Sequence, residues 1–411
     1  MSRLGRILPV IAVAMLGVAD LQVAGWGWTA SATGPSNRTL ALVVVWTFAA
    51  AVGIFTIARA PRDRLARLWP LAALVGWAAI SGLFGIDPAR SVFAALGLAA
   101  VALAAVAAAL GPGRGFLGVA VGTGVFTYAS LVGDAISPAD DSLFLGRFGG
   151  YASEPNVMAY IAGLFIVCGA ISAAGTKRRA ASAAIIAISL PAGLYAVVES
   201  DTRTAFGALA VAGLVAAFDR APMPLIVAGF VAAVLVYPQV DLADATSAVR
   251  RDSTEQLSEL NGRTPIWRLS FNAIEQDPLT GAGLASGEPQ IRAAAHGEGI
   301  AVFSASSHNH AIEIARELGL VGLGLALVAL VRAAPWKSRR LRPLLAYLLV
   351  MSVTMPTSGL PGLITAAWFV VIATGSTSSP GVHSTALGEG RQESVGSIRG
   401  TDGRRLPLHQ P

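Results

Sequence analysis

The sequence predicts an all-α, polytopic membrane helix bundle with about twelve transmembrane helices and one long external loop. Of its 411 residues, 54% are hydrophobic and only 13% are charged, about half of the roughly 25% that a soluble domain carries. The apolar residues form stretches close to the length that a helix needs to cross a bilayer. The 45 glycines suit close packing of helices in lipid. This composition excludes a soluble enzyme, a disordered scaffold and a nucleic-acid-binding domain.

Twelve apolar stretches are the predicted membrane helices, each bounded by polar or arginine-containing segments. The eighth and the last are short, and the last two could be divided differently around the MPTSGLPG turn. The stretches are approximately 7–24, 39–58, 68–86, 91–110, 115–134, 156–174, 180–198, 204–218, 222–238, 311–331, 343–358 and 360–375.

The placement of arginine predicts the orientation of the bundle, because cytoplasmic loops carry an excess of basic residues. With the N terminus in the cytoplasm, the inner loops include RAPRDRLAR at 59–67 and RAAPWKSRRLR at 332–342. The alternation holds through every loop, so both termini are predicted to be cytoplasmic. The net charge of +6 is then a topology signal rather than a nucleic-acid signal. The short outer loops contain only Arg38, Arg90, Arg147 and Arg203.

This topology divides the chain into four segments. Residues 1–238 hold the first nine helices, 239–310 form the external loop, 311–375 hold the last three helices, and 376–411 are a disordered cytoplasmic tail. The tail is rich in Ser, Gly and Arg and has almost no apolar residues, which is typical of disorder. The loop is mildly acidic, with nine acidic residues and five arginines.

A short amphipathic helix is predicted within the external loop. In TPIWRLSFNAIEQ (264–276) the apolar side chains are Ile266, Leu269, Phe271 and Ile274, and a proline stands near the start. We expect this helix to lie on the membrane surface or to cap the bundle. The segment DPLTGAG that follows is predicted to end it.

The polar residues of the chain gather at the predicted outer face. Most of the membrane helices have no ionisable residue near their centres, which argues against an ion-coupled transporter. Arg147 and Arg203 lie beside span ends where the charge rule disfavours arginine, and a bound anion would explain them, because guanidinium pairs bidentately with phosphate. The four polar groups are GRFGGYASEPN (146–156), ESDTRTA (199–205), NGRTPIWR (261–268) and SSHNHAIEIARELGLVG (306–322).

The basic and capping residues also have purely structural explanations. Arg203 could extend to lipid headgroups, and Arg263 and Arg268 could be solvated or paired with nearby acids. Ser307 or Asn309 could cap the tenth helix.

The remaining polar residues have alternatives as well. His296, His308 and His310 could bind zinc, although their spacing is not a recognised ligand pattern. Glu154 and Asn156 flank a proline and could simply start a helix, with Asn156 as its cap.

Four segments, in this order, carry a recognisable motif pattern. They are SEPNVMAYIAGL (153–164), SDTRTAFGALAVAG (200–213), GRTPIWRLSFNAIEQDPLTGAGLAS (262–286) and HNHAIEIARELGLVGLGLAL (308–327). Together they resemble the O-antigen ligase and polymerase superfamily, the membrane glycosyltransferases that use undecaprenyl-linked glycans. The likeness covers roughly residues 145–330.

The resemblance implies an active site on the outer side of the membrane, built from the external loop and the nearby helix ends. There a glycan would move from a polyprenyl-diphosphate carrier to an acceptor hydroxyl, with no metal ion and no cofactor. His308 matches the essential histidine of the family, and Arg203 and Arg263 match its arginines that hold the diphosphate. Glu154 receives no catalytic role. The residues expected to bind substrate around them are Arg268, Asn309, His310, Arg147 and Asn156.

The resemblance also implies the partners: a lipid-linked glycan donor, a glycan, lipid or protein acceptor, and membrane lipids. Nucleic acid is not among them. A polymerase joins lipid-linked repeat units to one another, whereas a ligase transfers a finished chain to a different acceptor. The two share these motifs, so both remain open.

Elementary chemistry agrees with these roles. The lipid diphosphate leaves with stable negative charge, which fixed donors on Arg203 and Arg263 can stabilise. The acceptor hydroxyl is a weak nucleophile, and an imidazole such as that of His308 can take its proton near neutral pH. The loop 239–310 has no Asp-x-Asp pair of the kind that holds a divalent metal. We therefore expect a single displacement with inversion at the anomeric carbon.

Two other functions remain as alternatives. A transporter of a small anion such as bicarbonate would use the same arginines as its anion site and would need polar residues along a path through the membrane. A structural or assembly role would need no active site at all.

Overall fold

The computed structural model describes residues 3–24, 37–111, 114–136, 147–152, 154–217, 263–298, 307–354 and 362–377. Within these ranges the chain is helical and contains no strand. The helices are α1 (Arg3–Ala24), α2 (Asn37–Ile57), α3 (Arg62–Ala66), α4 (Trp69–Leu83), α5 (Pro88–Ala109), α6 (Arg114–Ile136), α7 (Pro155–Ala174), α8 (Arg179–Glu199), α9 (Arg203–Ala217), α10 (Arg263–Gln276), α11 (Gly287–Gly297), α12 (His310–Ala333), α13 (Arg342–Thr354) and α14 (Leu363–Thr377).

The predicted all-α membrane architecture is confirmed in outline. In the described part of the chain, six helices are long and apolar enough to cross a membrane, and five shorter helices are also apolar. These helices coincide with eleven of the twelve predicted stretches. The ninth stretch, 222–238, lies outside the described residues, as does the predicted tail beyond Thr377. The exact number of spans and the orientation of the termini therefore stay predictions.

Helix α7 is the central helix of the bundle. Its apolar window is 72% buried inside the protein, against 28% for α8. It packs on α6, α8, α9 and α13. Gly163 permits the contact with α13, because a Cβ there would overlap the Tyr347 ring, whose hydroxyl donates to the Tyr160 carbonyl at 2.9 Å. The start of α7 is consequently held in place by the whole bundle.

Helix α12 is broken near its middle. Gly319 has φ 68° and ψ −178°, a conformation that is essentially restricted to glycine. A break inside an apolar helix leaves backbone N–H and C=O groups without their intrahelical partners, and in lipid such groups must be bonded by other parts of the protein.

The segment 278–283 supplies those partners. The Leu320 N–H donates to the Pro278 carbonyl at 2.7 Å, and the N–H groups of Ala282 and Gly283 donate to the carbonyls of Arg316 and Glu317 at 2.8 and 2.9 Å. The DPLTGAG segment was predicted only to end a helix. Its loop also fills the break in α12, and Gly281 permits the close approach, because a Cβ there would overlap Gly319 and Glu317.

Side chains of helix α4 also form hydrogen bonds at the break. The Trp77 indole N–H donates to the Leu318 carbonyl at 2.8 Å, and the Ser81 hydroxyl donates to the Thr280 carbonyl at 2.6 Å. The N-terminal half of α12 is therefore a short, separately anchored helix whose position depends on the 278–283 loop.

The predicted amphipathic helix is present as α10. Ile266 and Leu269 are buried and form a small apolar cluster with Ile291 and Ala295 of α11, a helix that the sequence did not predict. Phe271 was expected on the apolar face but is 51% exposed, because α10 buries positions 266, 269 and 273 instead. Helix α10 also packs against α12.

Candidate active site

The predicted site residues cluster at one end of the bundle. There the Ile86 N–H donates to the Ala282 carbonyl, and the Phe148 N–H donates to the Glu199 carbonyl, both at 2.9 Å. Basic side chains occupy the other end, where the Arg332 guanidinium lies 5.8 Å from the centre of the Trp69 ring. Which of the two ends faces outward stays a prediction.

His308 has a strained backbone immediately before α12. Its φ is 48°, and its residue is 8% exposed. A left-handed conformation is uncommon for a residue other than glycine, and such strain often occurs at functional sites. Asp201, two residues before Arg203, has the same kind of conformation, with φ 47°. The segments that carry His308 and Arg203 therefore share this strained conformation.

The peptide before His308 is anchored on two sides. The buried Ser307 hydroxyl donates to Glu313 Oε2 at 2.6 Å, and the Ser307 carbonyl accepts from the Trp267 indole N–H at 2.6 Å. Trp267 belongs to α10, so the external-loop helix directly positions the histidine segment. This contact gives Trp267, within the motif segment 262–286, a physical role.

Asn309 is the N-cap of α12. Its side-chain oxygen accepts from the N–H groups of Ala311 and Ile312 at 3.0 and 3.1 Å, so the capping interpretation holds for this residue. His310 begins the helix, and its ring stacks on Trp368 with centroids 5.8 Å apart and planes 12° apart.

An apolar cavity of about 240 Å³ begins beside His310 and lies between α12, α13 and α14, with α4 and α5 closing its side. Its ionisable lining residues are His310, Glu313 and Glu317, and its walls are otherwise mostly aliphatic or aromatic. Lining residues along its length include Leu74, Leu98, Ile314, Leu327, Trp368 and Ile372.

Arg147 is bound within the protein. Its Nε donates to the Ser200 carbonyl at 3.0 Å, and its Nη2 lies 3.1 Å from Asn156 Oδ1 and 3.2 Å from Thr202 Oγ1. Arg147 thus ties the start of α7 to the α8–α9 turn. These contacts favour a structural explanation for an arginine that we predicted from its position as an anion ligand.

Asn156 and Glu154 connect this turn to His308. The Thr202 hydroxyl donates to Asn156 Oδ1 at 3.3 Å, and Asn156 Nδ2 donates to Glu154 Oε1 at 3.4 Å. Glu154 Oε1 lies 3.9 Å from His308 Nδ1. The expectation that Asn156 caps α7 is wrong, because the N-cap is Glu154, and it makes no side-chain cap bond. Asn156 binds Arg147 and Thr202 instead.

The remaining predicted arginines differ in their surroundings. Arg203 is the first residue of α9 and is partly buried, directly after the Ser200–Thr202 turn that Arg147 binds. Arg263 is the first residue of α10, and its side chain lies outside the described part. Arg268 is largely exposed and pairs with Glu298 at 2.5 Å, as one alternative anticipated.

A buried charge cluster lies beneath the site and was not predicted. Arg316 pairs with Glu313, and both side chains are almost completely buried. Glu317 Oε1 accepts from the Gly287 N–H at 3.4 Å. The only sequence signal was the i, i+3 spacing of Glu313 and Arg316 in an otherwise apolar helix. This pair sets the position of Ser307 and hence of His308.

Among the described residues, no group of three or more His, Cys, Asp or Glu side chains is arranged to hold a metal ion. The zinc interpretation of His296, His308 and His310 therefore finds no support in this part of the chain.

The central region of the chain is similar to a known protein family. Residues 188–327 match the family model described as O-antigen ligase, about a third of the chain. Three of the four motif segments lie largely or wholly inside this match, and 153–164 lies outside it. No curated protein matches the chain significantly. The match confirms the resemblance of this region to the O-antigen ligase and polymerase superfamily. It gives no support to the transporter alternative.

Proposed function

We propose that this integral membrane protein, which carries an O-antigen ligase domain over residues 188–327, moves a glycan from a polyprenyl-diphosphate carrier to an acceptor hydroxyl. The observation that carries the proposal is the contact chain from Thr202, beside Arg203, through Asn156 and Glu154 to His308. It brings together residues of three motif segments that are far apart in the sequence.

In the proposed reaction His308 is the general base. The acceptor hydroxyl oxygen attacks the anomeric carbon of the donor sugar while its proton passes to the imidazole. The bond between that carbon and the diphosphate oxygen breaks, and the leaving diphosphate keeps the electron pair. Arg203 and Arg263 hold the charge that develops there. The attack comes from the side opposite the leaving group, so the anomeric configuration inverts. No metal ion or cofactor takes part.

The other predicted binding residues take more specific roles in this proposal. Arg147 and Asn156 fix the turn before Arg203, and Asn309 fixes the helix after His308. Arg268, on the exposed surface of α10, meets the glycan of the donor or acceptor. His310 is the substrate-binding residue best placed for the lipid, because it lines the apolar cavity.

The cavity supports a lipid-linked donor. Its mostly aliphatic and aromatic walls suit part of an isoprenoid chain, because an apolar chain that enters the cavity from the lipid stays in apolar surroundings. A transporter would instead need a polar path across the membrane. In the described part of the chain, the buried ionisable residues of α12 are Glu313, Arg316 and Glu317. They lie in the N-terminal half of the helix, and Glu313 and Arg316 pair with each other. We therefore place the reaction at the outer leaflet of a bacterial inner membrane, with both termini cytoplasmic.

A deletion strain tests the proposal and separates its two forms. If the protein is a polymerase, single repeat units accumulate on the carrier, and if it is a ligase, long carrier-linked chains accumulate. Complementation with wild-type protein or with His296→Ala, a change at an exposed histidine, should restore the normal profile, whereas His308→Ala should not. An unchanged glycan profile in the deletion strain, with loss of anion uptake, would refute the transferase.

A further inference from the structure

We infer that Glu154 is a positioning residue that orients the His308 imidazole for proton transfer. The inference rests on the proposed function and extends it to a residue outside the matched region. Glu154 Oε1 lies 3.9 Å from His308 Nδ1, with 27% of the Glu154 side chain and 10% of the His308 side chain exposed. A carboxylate facing one ring nitrogen of a largely buried histidine is the arrangement by which proteins fix an imidazole tautomer.

The carboxylate of Glu154 makes no capping hydrogen bond to the helix that it precedes. Glu154 stands at the N-cap of α7 but makes no side-chain cap bond, and Glu is not among the residues preferred at an N-cap. Its Oε1 accepts from Asn156 Nδ2 at 3.4 Å and faces His308. Helix capping therefore does not explain a carboxylate at this position.

Asn156 orients the carboxylate. Its side-chain oxygen is engaged by Arg147 Nη2 at 3.1 Å and by the Thr202 hydroxyl at 3.3 Å. Because a guanidinium can only donate, the oxygen of the amide must face Arg147, and the amide nitrogen then points toward Glu154. Arg147 in turn is held by the Ser200 carbonyl. The chain Arg147–Asn156–Glu154 thus aims the carboxylate at His308 from a rigid helix start.

The chemical consequence is a defined tautomer. With its proton on Nδ1 and facing Glu154, the imidazole has its lone pair on Nε2, which accepts the proton of the acceptor hydroxyl. The carboxylate stays ionised and stabilises the imidazolium that forms. The 3.9 Å separation is longer than a hydrogen bond, and contacts of this kind often tighten only when substrate is bound.

A second carboxylate, that of Glu313, also reaches the histidine segment. Glu313 contacts Ser307, the neighbour of His308, but it also pairs with Arg316 on the same helix. Arg147 reaches this region through Asn156. Glu154 on the start of α7 is therefore the carboxylate placed to respond when the imidazole gains a proton.

The test compares purified wild-type protein, Glu154→Gln and His308→Ala in a transfer assay with a lipid-linked glycan donor over a range of pH. Glu154→Gln keeps an oxygen for Asn156 but removes the charge. Its kcat should fall about tenfold or more, a part of the 10²–10⁴-fold that general base catalysis supplies, while KM for the donor stays close to wild type. The acidic limb of the pH–rate profile should move to lower pH, because the imidazolium loses its stabilising carboxylate.

Controls keep the outcomes distinct. Glu288→Gln alters an exposed carboxylate that pairs with Arg292 on α11 and should leave kcat and the pH profile unchanged. Glu154→Asp, which restores a charge, should recover part of the kcat. A Glu154→Gln enzyme with wild-type kcat, or one with reduced kcat and an unmoved acidic limb, overturns the positioning role. Active wild-type protein with inactive His308→Ala leaves the proposed function standing in either case, whereas inactive wild-type protein refutes that function and the inference with it.

Discussion

Replacing Gly319 with alanine should destabilise the protein far more than the same change five residues further along α12. Gly319 forms the break in this helix, with φ 68° and ψ −178°. A Cβ there would overlap the Leu279 carbonyl oxygen and lie 2.7 Å from the Thr280 nitrogen. The 278–283 loop would have to withdraw from the break. Gly324 lies on the same helix, and a Cβ built there meets no atom within 4 Å.

The expected difference in stability between Gly319→Ala and Gly324→Ala has three contributions. The backbone conformation of Gly319 costs about 1–3 kcal/mol for a residue with a side chain. Withdrawal of the loop weakens the bond from the Leu320 N–H to the Pro278 carbonyl and its neighbours, each worth about 1 kcal/mol. At Gly324 an alanine should stabilise the helix by up to about 1 kcal/mol. Gly319→Ala should therefore be less stable than Gly324→Ala by about 4 kcal/mol.

Thermal unfolding in detergent, followed by tryptophan fluorescence, measures the difference. Membrane proteins often unfold irreversibly, so the three proteins are compared at one scan rate. Gly319→Ala should unfold well below wild type, and Gly324→Ala at or slightly above it. If both variants unfolded at the same temperature, the loop would not be what holds the broken helix together.

Two further predictions concern side chains at the site. Arg147→Ala should lower both the thermal midpoint and transfer activity, because it removes the bonds to Ser200, Asn156 and Thr202. Arg203→Ala should lower activity with little change in the midpoint. An Arg147→Ala variant that is stable but inactive would instead indicate that Arg147 binds an anion. Asn309→Ala should reduce stability by about 1 kcal/mol through loss of the cap on α12, and Asn309→Asp should restore most of it in the same thermal assay. Equal midpoints for Asn309→Ala and wild type would show that the cap is dispensable.

The membrane helices were predictable because hydropathy is a local property that adds along the chain. The predicted stretch at 311–331 falls within α12, for example, which spans His310–Ala333. The break at Gly319 was not predictable, because ELGLVGLG is compatible with a continuous helix. The bonds that stabilise the break come from 278–283 and from Trp77, which no local pattern connects to it.

In the candidate site, too, local sequence patterns were predictable and long-range contacts were not. His308 and Arg203 were found because their segments match family motifs. Arg203 also stood out because basic residues are disfavoured beside helix ends on the predicted outer face. The roles of Arg147 and Glu154 depend on which acceptors and donors surround them. Glu154 and His308 meet only because α7 and α12 begin at the same end of the bundle. Helix α11 was missed because its buried side includes Ile291 and Ala295, too few apolar residues for a clear helical period.

Transfer by the purified protein, with and without His308, is the most direct test of the proposed function. In proteoliposomes that contain a lipid-linked glycan donor and an acceptor, wild-type protein and the exposed-site control His296→Ala should form product at equal rates. His308→Ala should be slower by about 10²-fold or more while remaining folded in the thermal assay. Product formation by folded His308→Ala at the wild-type rate would contradict the proposed mechanism. Anion movement by wild-type protein with no glycan transfer would contradict the proposed function itself.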